Sequence, residues 1–187
     1  MRRLISSGWS RMSCGYPLAV IAAIAVASAA FTARAEQPAT TLATLLDKQQ
    51  IQDMLVDYYG QLGSGRQDFG AYYVEDGVLD VNGLVAQGKG PIEELYAQTA
   101  RGTPKRPGAF RMLLTNLKVS VDGTTATADV IWTGINSESP KATPQFIEQG
   151  REHDELTKRG GHWYFKHRTI TSDGGLPAMF EKSFKVR

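Results

Sequence analysis

Three histidines in the second half of the chain could transfer protons near neutral pH. They are His153, His162 and His167, and a histidine serves as acid or base at that pH because its ordinary pKa lies close to it. The same residues raise the alternative of a metal site. Their spacing lacks the i, i+4 pair of a metal-binding helix, however, and no carboxylate is evident that would orient the rings. We therefore predict no metal site.

Four aromatic residues could line a pocket for a flat, apolar ligand. Trp132, Tyr72, Tyr73 and Phe146 would stack on an aromatic or polycyclic molecule, although residues of these types also build ordinary hydrophobic cores. The sequence contains no glycine-rich phosphate loop and no nucleophile elbow. These residue types therefore suit an aromatic or polycyclic substrate.

The elements that would position these residues begin with helices. Apolar residues at spacings of three, four and seven predict a helix that begins at Leu45 and ends at the Gly-Ser-Gly of residues 63–65. A short helix through Phe69 and a turn at 75–77 should follow. Gly90-Pro91 should open another helix, and residues 101–108, rich in proline, glycine and basic side chains, should form a loop.

Strands dominate the rest of the chain. Residues 78–82 predict a strand that turns at Asn82-Gly83 into a second strand at 84–86. Longer strands are predicted at 110–121, 125–135, 145–157 and 162–170. Helices followed by an antiparallel meander indicate an α+β domain, and a helix layer on a curved sheet commonly encloses a pocket.

The first 35 residues are typical of a cleaved export signal. Arginines precede an apolar run from Leu18 to Phe31, and Ala33-Arg34-Ala35 offers a cleavage site. The run is shorter than the roughly 18–20 residues that span a bilayer, which disfavours a membrane anchor. We expect cleavage after Ala35 and a periplasmic or secreted protein, with a flexible leader at 36–44 and a tail at 174–187.

Removal of the signal would change the charge balance. The full chain of 187 residues has a formal charge of +2. The signal contains four arginines and no acids, so 152 residues remain with 17 basic and 19 acidic side chains, a formal charge of −2. This balance gives no reason to expect a nucleic-acid or membrane partner. The single cysteine, Cys14, lies in the signal, which excludes a disulfide framework.

Several segments, in this order, resemble SnoaL-like proteins of the nuclear transport factor 2-like superfamily. They are residues 47–59, 73–83 (YVEDGVLDVNG), 88–92 (GKGPI), 113–119 (LLTNLKV), 122–128 (DGTTATA) and 161–163 (GHW), all within a domain at 45–173. The resemblance implies a cone-shaped α+β barrel, in which three helices pack on a strongly curved, mostly antiparallel sheet. Members include steroid isomerases, scytalone dehydratase, polyketide cyclases and cofactor-free lyases of lignin-derived diaryl compounds, and fold alone does not select among them.

The resemblance also implies catalytic residues. Tyr58 matches a tyrosine that donates to an oxyanion, or it is simply a core residue. Asp154 matches a second donor, a carboxylic acid kept protonated by an apolar site, or it is a strand carboxylate paired with Arg151 or Arg168. A shift of one residue along the strand would turn His153 inward instead.

Other family positions are altered in this chain. The position of the isomerase base holds no acid, and its neighbour Asp80 could project into the pocket or cap the following turn. A histidine common in relatives is replaced by Met112, which would enlarge the apolar wall. Arg111 could bind an anionic group or be an ordinary exposed residue, and Asn116 could point inward on the same strand face as Met112.

We expect an exported, cofactor-free enzyme that performs lyase or isomerase chemistry by proton transfer on a small, hydrophobic, aromatic substrate. The most specific version of this hypothesis is a lyase of lignin-derived diaryl compounds. The alternative hypothesis is a periplasmic binding protein without turnover. Convergence of Tyr58, Asp80, His153 and Asp154 on one point of the pocket would favour the enzyme. A homodimer is also expected. An apolar outer sheet face would support it, and a charged one would count against it.

Overall fold

The computed structural model describes residues 40–62 and 68–183, with side chains described to residue 180. All of them belong to one compact unit. They form two α-helices, six strands and two short 3-10 helices, Phe69–Tyr72 and Ala178–Ser183. The longer elements are α1 (Leu42–Gln61), β1 (Tyr73–Val81), β2 (Leu84–Gln87), α2 (Lys89–Gly102), β3 (Ala109–Asp122), β4 (Thr125–Ser137), β5 (Gln145–Arg159) and β6 (His162–Gly174).

The strands form one mixed sheet in the order β2-β1-β6-β5-β4-β3. Every neighbouring pair is antiparallel except β1 and β6, which run parallel. Helix α1 packs on β3 and β6, and α2 packs on β1 and β2. The expected α+β fold is confirmed, but the described residues hold two α-helices and two short 3-10 helices where the resemblance implies three helices.

Helix α1 begins three residues earlier than the apolar spacing predicts. Thr41 closes a capping box with Thr44, which satisfies backbone donors that the first turn leaves unpaired. Part of the predicted leader is therefore helical, and the predicted stop at 63–65 lies outside the described residues. Further along the same helix, the Asp47 carboxylate accepts hydrogen bonds from Lys158 Nζ at 2.5 Å and Trp163 Nε1 at 3.1 Å. These contacts fix α1 on the sheet.

The four long strands lie close to their predicted bounds, but the start of β1 does not. The predicted turn at 75–77 is wrong, because strand β1 runs through these residues from Tyr73. Tyr73 pairs with Phe165 and Val78 pairs with His167, so the extra residues between them form an irregularity in the parallel ladder. The Asp76-Gly77 pair thus lies in a bulge of β1, between two residues that pair with β6.

The hairpin between β1 and β2 turns at Asn82 and Gly83, as predicted, and both residues have positive φ. Among the described helices, none combines the length and the apolar composition that a membrane span requires.

Candidate functional site

A cavity of about 960 Å³ lies between the helices and the inner face of the sheet. Helix α1, helix α2, strands β3 to β6 and the segment 175–180 all contribute to its wall. The wall is rich in aromatic side chains: Tyr58, Tyr59, Phe69, Tyr96, Phe110, Trp132 and Phe180. A cavity of this size and composition suits a small apolar molecule.

Tyr58 lies at the centre of the aromatic packing. Its ring contacts those of Tyr59, Phe69 and Phe165 edge-on, with centroid distances of 5.3–5.5 Å. The guanidinium of Arg168 lies 4.0 Å from its ring centroid, a cation–π contact. The Tyr58 hydroxyl is buried and has no hydrogen-bond partner among the described residues. Tyr58 is therefore a core residue at the cavity wall with a free donor, so both interpretations of this position keep structural support.

A buried charge cluster adjoins this wall. It consists of Tyr59, which also lines the cavity, and of Glu152, Asp154 and Arg168 behind it. Arg168 donates to Glu152 Oε2 through Nε at 3.2 Å and also through Nη2, and the Tyr59 hydroxyl donates to the same oxygen. Arg168 Nε also lies 3.4 Å from Asp154 Oδ1. Two acids thus share one guanidinium inside the protein, and neither acid is among the residues that line the cavity.

The cluster has unusual protonation chemistry. Burial raises the pKa of Asp154 well above its usual range, and the adjacent Glu152 charge raises it further, whereas Arg168 lowers it. Burial, followed by the Glu152 charge, raises the pKa of the Tyr59 phenol. Asp154 therefore pairs with Arg168, as one sequence-based interpretation held, and it also has the raised pKa that the resemblance implied.

The raised pKa predicts how stability depends on pH. The native state keeps a proton on Asp154 at pH values where the unfolded chain has lost it, so stability falls as pH rises above about 4. Asp154→Asn cannot ionise, so its free energy of unfolding should fall less between pH 5 and pH 8, by at least about 1 kcal/mol. Urea unfolding at the two pH values measures the difference. Glu155→Gln, at an exposed position of the same strand, should behave as the wild type; equal pH slopes for all three proteins would contradict the assignment.

Three predicted site residues lie on the wrong side of the sheet. His153 is exposed, and its Nδ1 lies 2.7 Å from Asp129 Oδ1 on the outer face. Arg111 is exposed and donates to the carbonyl oxygen of its neighbour Phe110. Asn116 is exposed at a positive φ of 53°, where a bulge in β3 interrupts the pairing with β4. The bulge shifts the alternation of side chains, so Asn116 does not share the face of Met112.

The remaining predicted residues divide between the cavity and its surroundings. Met112 and Trp132 line the cavity, whereas Tyr72 and Tyr73 are not among the lining residues. Tyr72 accepts a hydrogen bond from Gln61 Nε2 at 2.5 Å, and Tyr73 is fully buried. Phe146 is 79% exposed and cannot line a pocket.

Asp80 caps the β1–β2 turn, because its Oδ1 accepts a hydrogen bond from Gly83 N at 2.6 Å. Asp80→Ala should therefore lower the free energy of unfolding by about 1 kcal/mol, the usual cost of a lost cap, and should leave ligand binding unchanged. Thermal unfolding of the variant beside Asp76→Ala, an exposed residue of the same strand, tests this. An Asp80→Ala protein of wild-type stability, or one that loses its ligand, would count against the capping role.

The four residues on which the enzyme hypothesis depends thus do not converge. Tyr58 lines the cavity, Asp154 lies behind its wall, Asp80 caps a turn and His153 faces outward. No group of three His, Cys, Asp or Glu side chains within residues 40–62 and 68–180 is placed to hold a metal ion.

Sequence reasoning missed two acids of β5, Glu148 and Glu152. Both share the inner face with Asp154, because alternate residues of a strand point to the same side. Acids at 148, 152 and 154 form a period-two pattern that could have been recognised. Gly150 stands between them and opposite Trp132, where a Cβ would lie 2.4 Å from the Trp132 Cζ2 atom. The indole therefore occupies the gap and separates Glu148 from the buried cluster.

Solved structures with the same fold come from several bacteria. A Mycobacterium tuberculosis protein of unknown function is 22% identical, with a TM-score of 0.60 over 70% of this chain and 74% of that one. A Nostoc punctiforme protein with a cystatin-like fold is 22% identical, with a TM-score of 0.62 over 71% and 95%. A nuclear transport factor 2-like protein from Novosphingobium aromaticivorans is 20% identical, with a TM-score of 0.57 over 78% and 93%. These likenesses establish the fold alone.

Sequence similarity identifies the family. No curated protein sequence matches the chain significantly. The model of the SnoaL-like domain family matches residues 43–169, which is more than half of the chain and nearly every described element. The match agrees with the α+β architecture and with the cavity between helices and sheet. This chain therefore belongs to the SnoaL-like domain family.

Proposed function

We propose that this protein binds a small, hydrophobic, aromatic molecule in the cavity. The observation that supports this most directly is the cavity of about 960 Å³ with seven aromatic side chains in its wall. Burial of an apolar ring there removes apolar surface from water, and edge-on contacts with the wall add specificity. We rank binding ahead of catalysis because the four predicted catalytic residues do not converge on one point of the cavity. They are Tyr58, Asp80, His153 and Asp154.

A cavity-filling substitution tests the binding site. Met112 lines the cavity, and its neighbour Leu113 is exposed on the other face of β3. We expect Met112→Trp to weaken the binding of aromatic compounds at least about tenfold, because the indole occupies the ligand's space and about 1.4 kcal/mol is a tenfold change. Native mass spectrometry against a panel of aromatic compounds measures this. Leu113→Trp should bind as the wild type; equal binding by both variants would contradict the site.

A second candidate is a cofactor-free lyase or isomerase that uses the same cavity. Glu148 favours it, because this carboxylate lines the cavity and burial raises its pKa, although the Arg106 charge lowers it. A carboxylate with a raised pKa suits proton transfer closer to neutral pH. The most specific version of this second candidate is a lyase of lignin-derived diaryl compounds. Inclusion of diaryl compounds in the panel tests it, since turnover changes the mass of the bound species with time and binding alone does not.

Export and dimerisation remain proposals. Cleavage after Ala35 would leave an exported protein that begins at Glu36, and N-terminal sequencing of the periplasmic fraction tests this.

The described outer face of the sheet carries ion pairs. Asp129 of β4 pairs with His153 of β5, and Arg151 of β5 pairs with Asp173 of β6. A charged face of this kind counts against a dimer formed through it.

A further inference from the structure

Glu148 is an unusual member of the cavity wall. It is the only carboxylate among the described residues that line the cavity, and no histidine accompanies it. The side chain is partly buried. Within the described part of the chain it forms no hydrogen bond or close ion pair, and the charge that acts on it is that of Arg106. An acceptor with unused hydrogen-bonding capacity therefore faces an otherwise largely apolar space.

Strand geometry fixes the position of this carboxylate. Glu148 pairs with Gly134 across β4 and β5, and a Cβ on Gly134 would lie 2.6 Å from Glu148 Cγ. The side chain thus lies over the surface that the glycine leaves open. Trp132, opposite Gly150, is the diagonal neighbour on the same face, at a distance of about 7–8 Å. A bicyclic molecule could contact the indole and reach the carboxylate at once.

Desolvation decides what kind of molecule can occupy this place. A purely apolar ligand would cover the Glu148 oxygens and leave a buried acceptor without a partner, which is unfavourable. A ligand with a donor would replace the lost water by a charge-assisted hydrogen bond.

The charges around the cavity select among donors and acceptors. Lys105 and Arg106 also line it, and their positive charge opposes an ammonium ligand. The negative charge of Glu148 opposes a carboxylate. A neutral hydroxyl group suffers neither repulsion and can donate to Glu148.

We propose that the cavity is specific for phenols, with the phenolic hydroxyl donating to the Glu148 carboxylate and the ring packed among the aromatic side chains. This inference rests on the proposed binding function and adds the chemical class of the ligand.

Matched ligands test the hydroxyl preference. The wild type should bind 2-naphthol at least about tenfold more tightly than 2-methoxynaphthalene, which has the same ring system and no donor. In Glu148→Met the preference should shrink to less than about twofold, because methionine has similar length and only a weak acceptor. The variant should bind the methoxy compound as well as the wild type or better. A merely damaged cavity would weaken both ligands together.

Glu155→Met is the matched control, since Glu155 is an exposed residue of the same strand. It should keep the full preference for 2-naphthol. The preference should also fall as pH is lowered through the pKa of Glu148, which burial raises above its usual range. Equal affinity of the wild type for the two naphthalenes, or an unchanged preference in Glu148→Met, would overturn the inference and leave the binding proposal standing. Failure of every aromatic compound to bind would overturn both.

Discussion

The Arg168→Met variant should lose about 3–5 kcal/mol of its free energy of unfolding at neutral pH. The Arg168 side chain is fully buried, bonds to Glu152 and lies 3.4 Å from Asp154. Methionine keeps much of the apolar volume but carries no charge, so two acids would remain in the core without a cation. Because those acids can take up protons, the loss should be smaller at pH 5. Urea unfolding at both pH values measures it.

Two further variants separate charge from packing at this position. The triple variant Arg168→Met, Glu152→Gln, Asp154→Asn removes all three ionisable groups and should recover a large part of the lost stability. Arg151→Met should lose less than about 1 kcal/mol, because Arg151 pairs with Asp173 at the surface. A triple variant no more stable than the single one would assign the loss to packing and contradict the electrostatic explanation.

The Gly150→Val variant should lose at least about 3 kcal/mol, near the upper end of the cost of overpacking. A Cβ at position 150 would lie 2.4 Å from Trp132 Cζ2, 2.5 Å from the carbonyl oxygen of Thr171 and 2.9 Å from the Cα of Ser172. Two of these atoms belong to the backbone of β6, which cannot move without breaking the sheet. The indole would also have to leave the cavity wall, so ligand affinity should fall together with stability.

Gly174→Ala provides the control for this prediction. Gly174 lies at the end of β6, and a Cβ there would meet nothing within 4 Å. Its free energy of unfolding should stay within about 0.5 kcal/mol of the wild-type value. A Gly150→Val protein as stable as Gly174→Ala would show that the Trp132 indole is not confined by the close approach of β5.

Local sequence patterns predicted most of the sheet. Alternation of apolar and polar residues located the four long strands, and Asn82-Gly83 located the first hairpin. These patterns succeed because side-chain period and turn geometry depend on residues within a few positions of one another. The parallel contact of β1 with β6 was not predicted, because it joins residues far apart in the chain. Residues 75–77 lie in the irregularity of that ladder, which local sequence patterns do not reveal.

The candidate site was predicted less completely. Tyr58, Met112 and Trp132 were assigned to the cavity, and they lie there. The choice between His153 and Asp154 depended on a register of one residue, which reverses the face of a strand. The prediction that Asn116 points inward was wrong for a related reason. The spacing of apolar residues in β3 does not reveal the bulge that changes the face of this side chain.

The sequence by itself determined the family, the α+β class and the four long strands, because each follows from residue type and short-range spacing. It did not determine the aromatic lining, since Trp132 lines the cavity but Tyr72, Tyr73 and Phe146 do not. Only the tertiary structure decided the state of the three acids on β5. Glu152 and Asp154 are buried against Arg168, whereas Glu148 has no such partner. The reason is physical: the ionisation of a carboxylate depends on how much water and which charges surround it. Those surroundings come from β4, β6 and α1, which are brought together only when the chain folds.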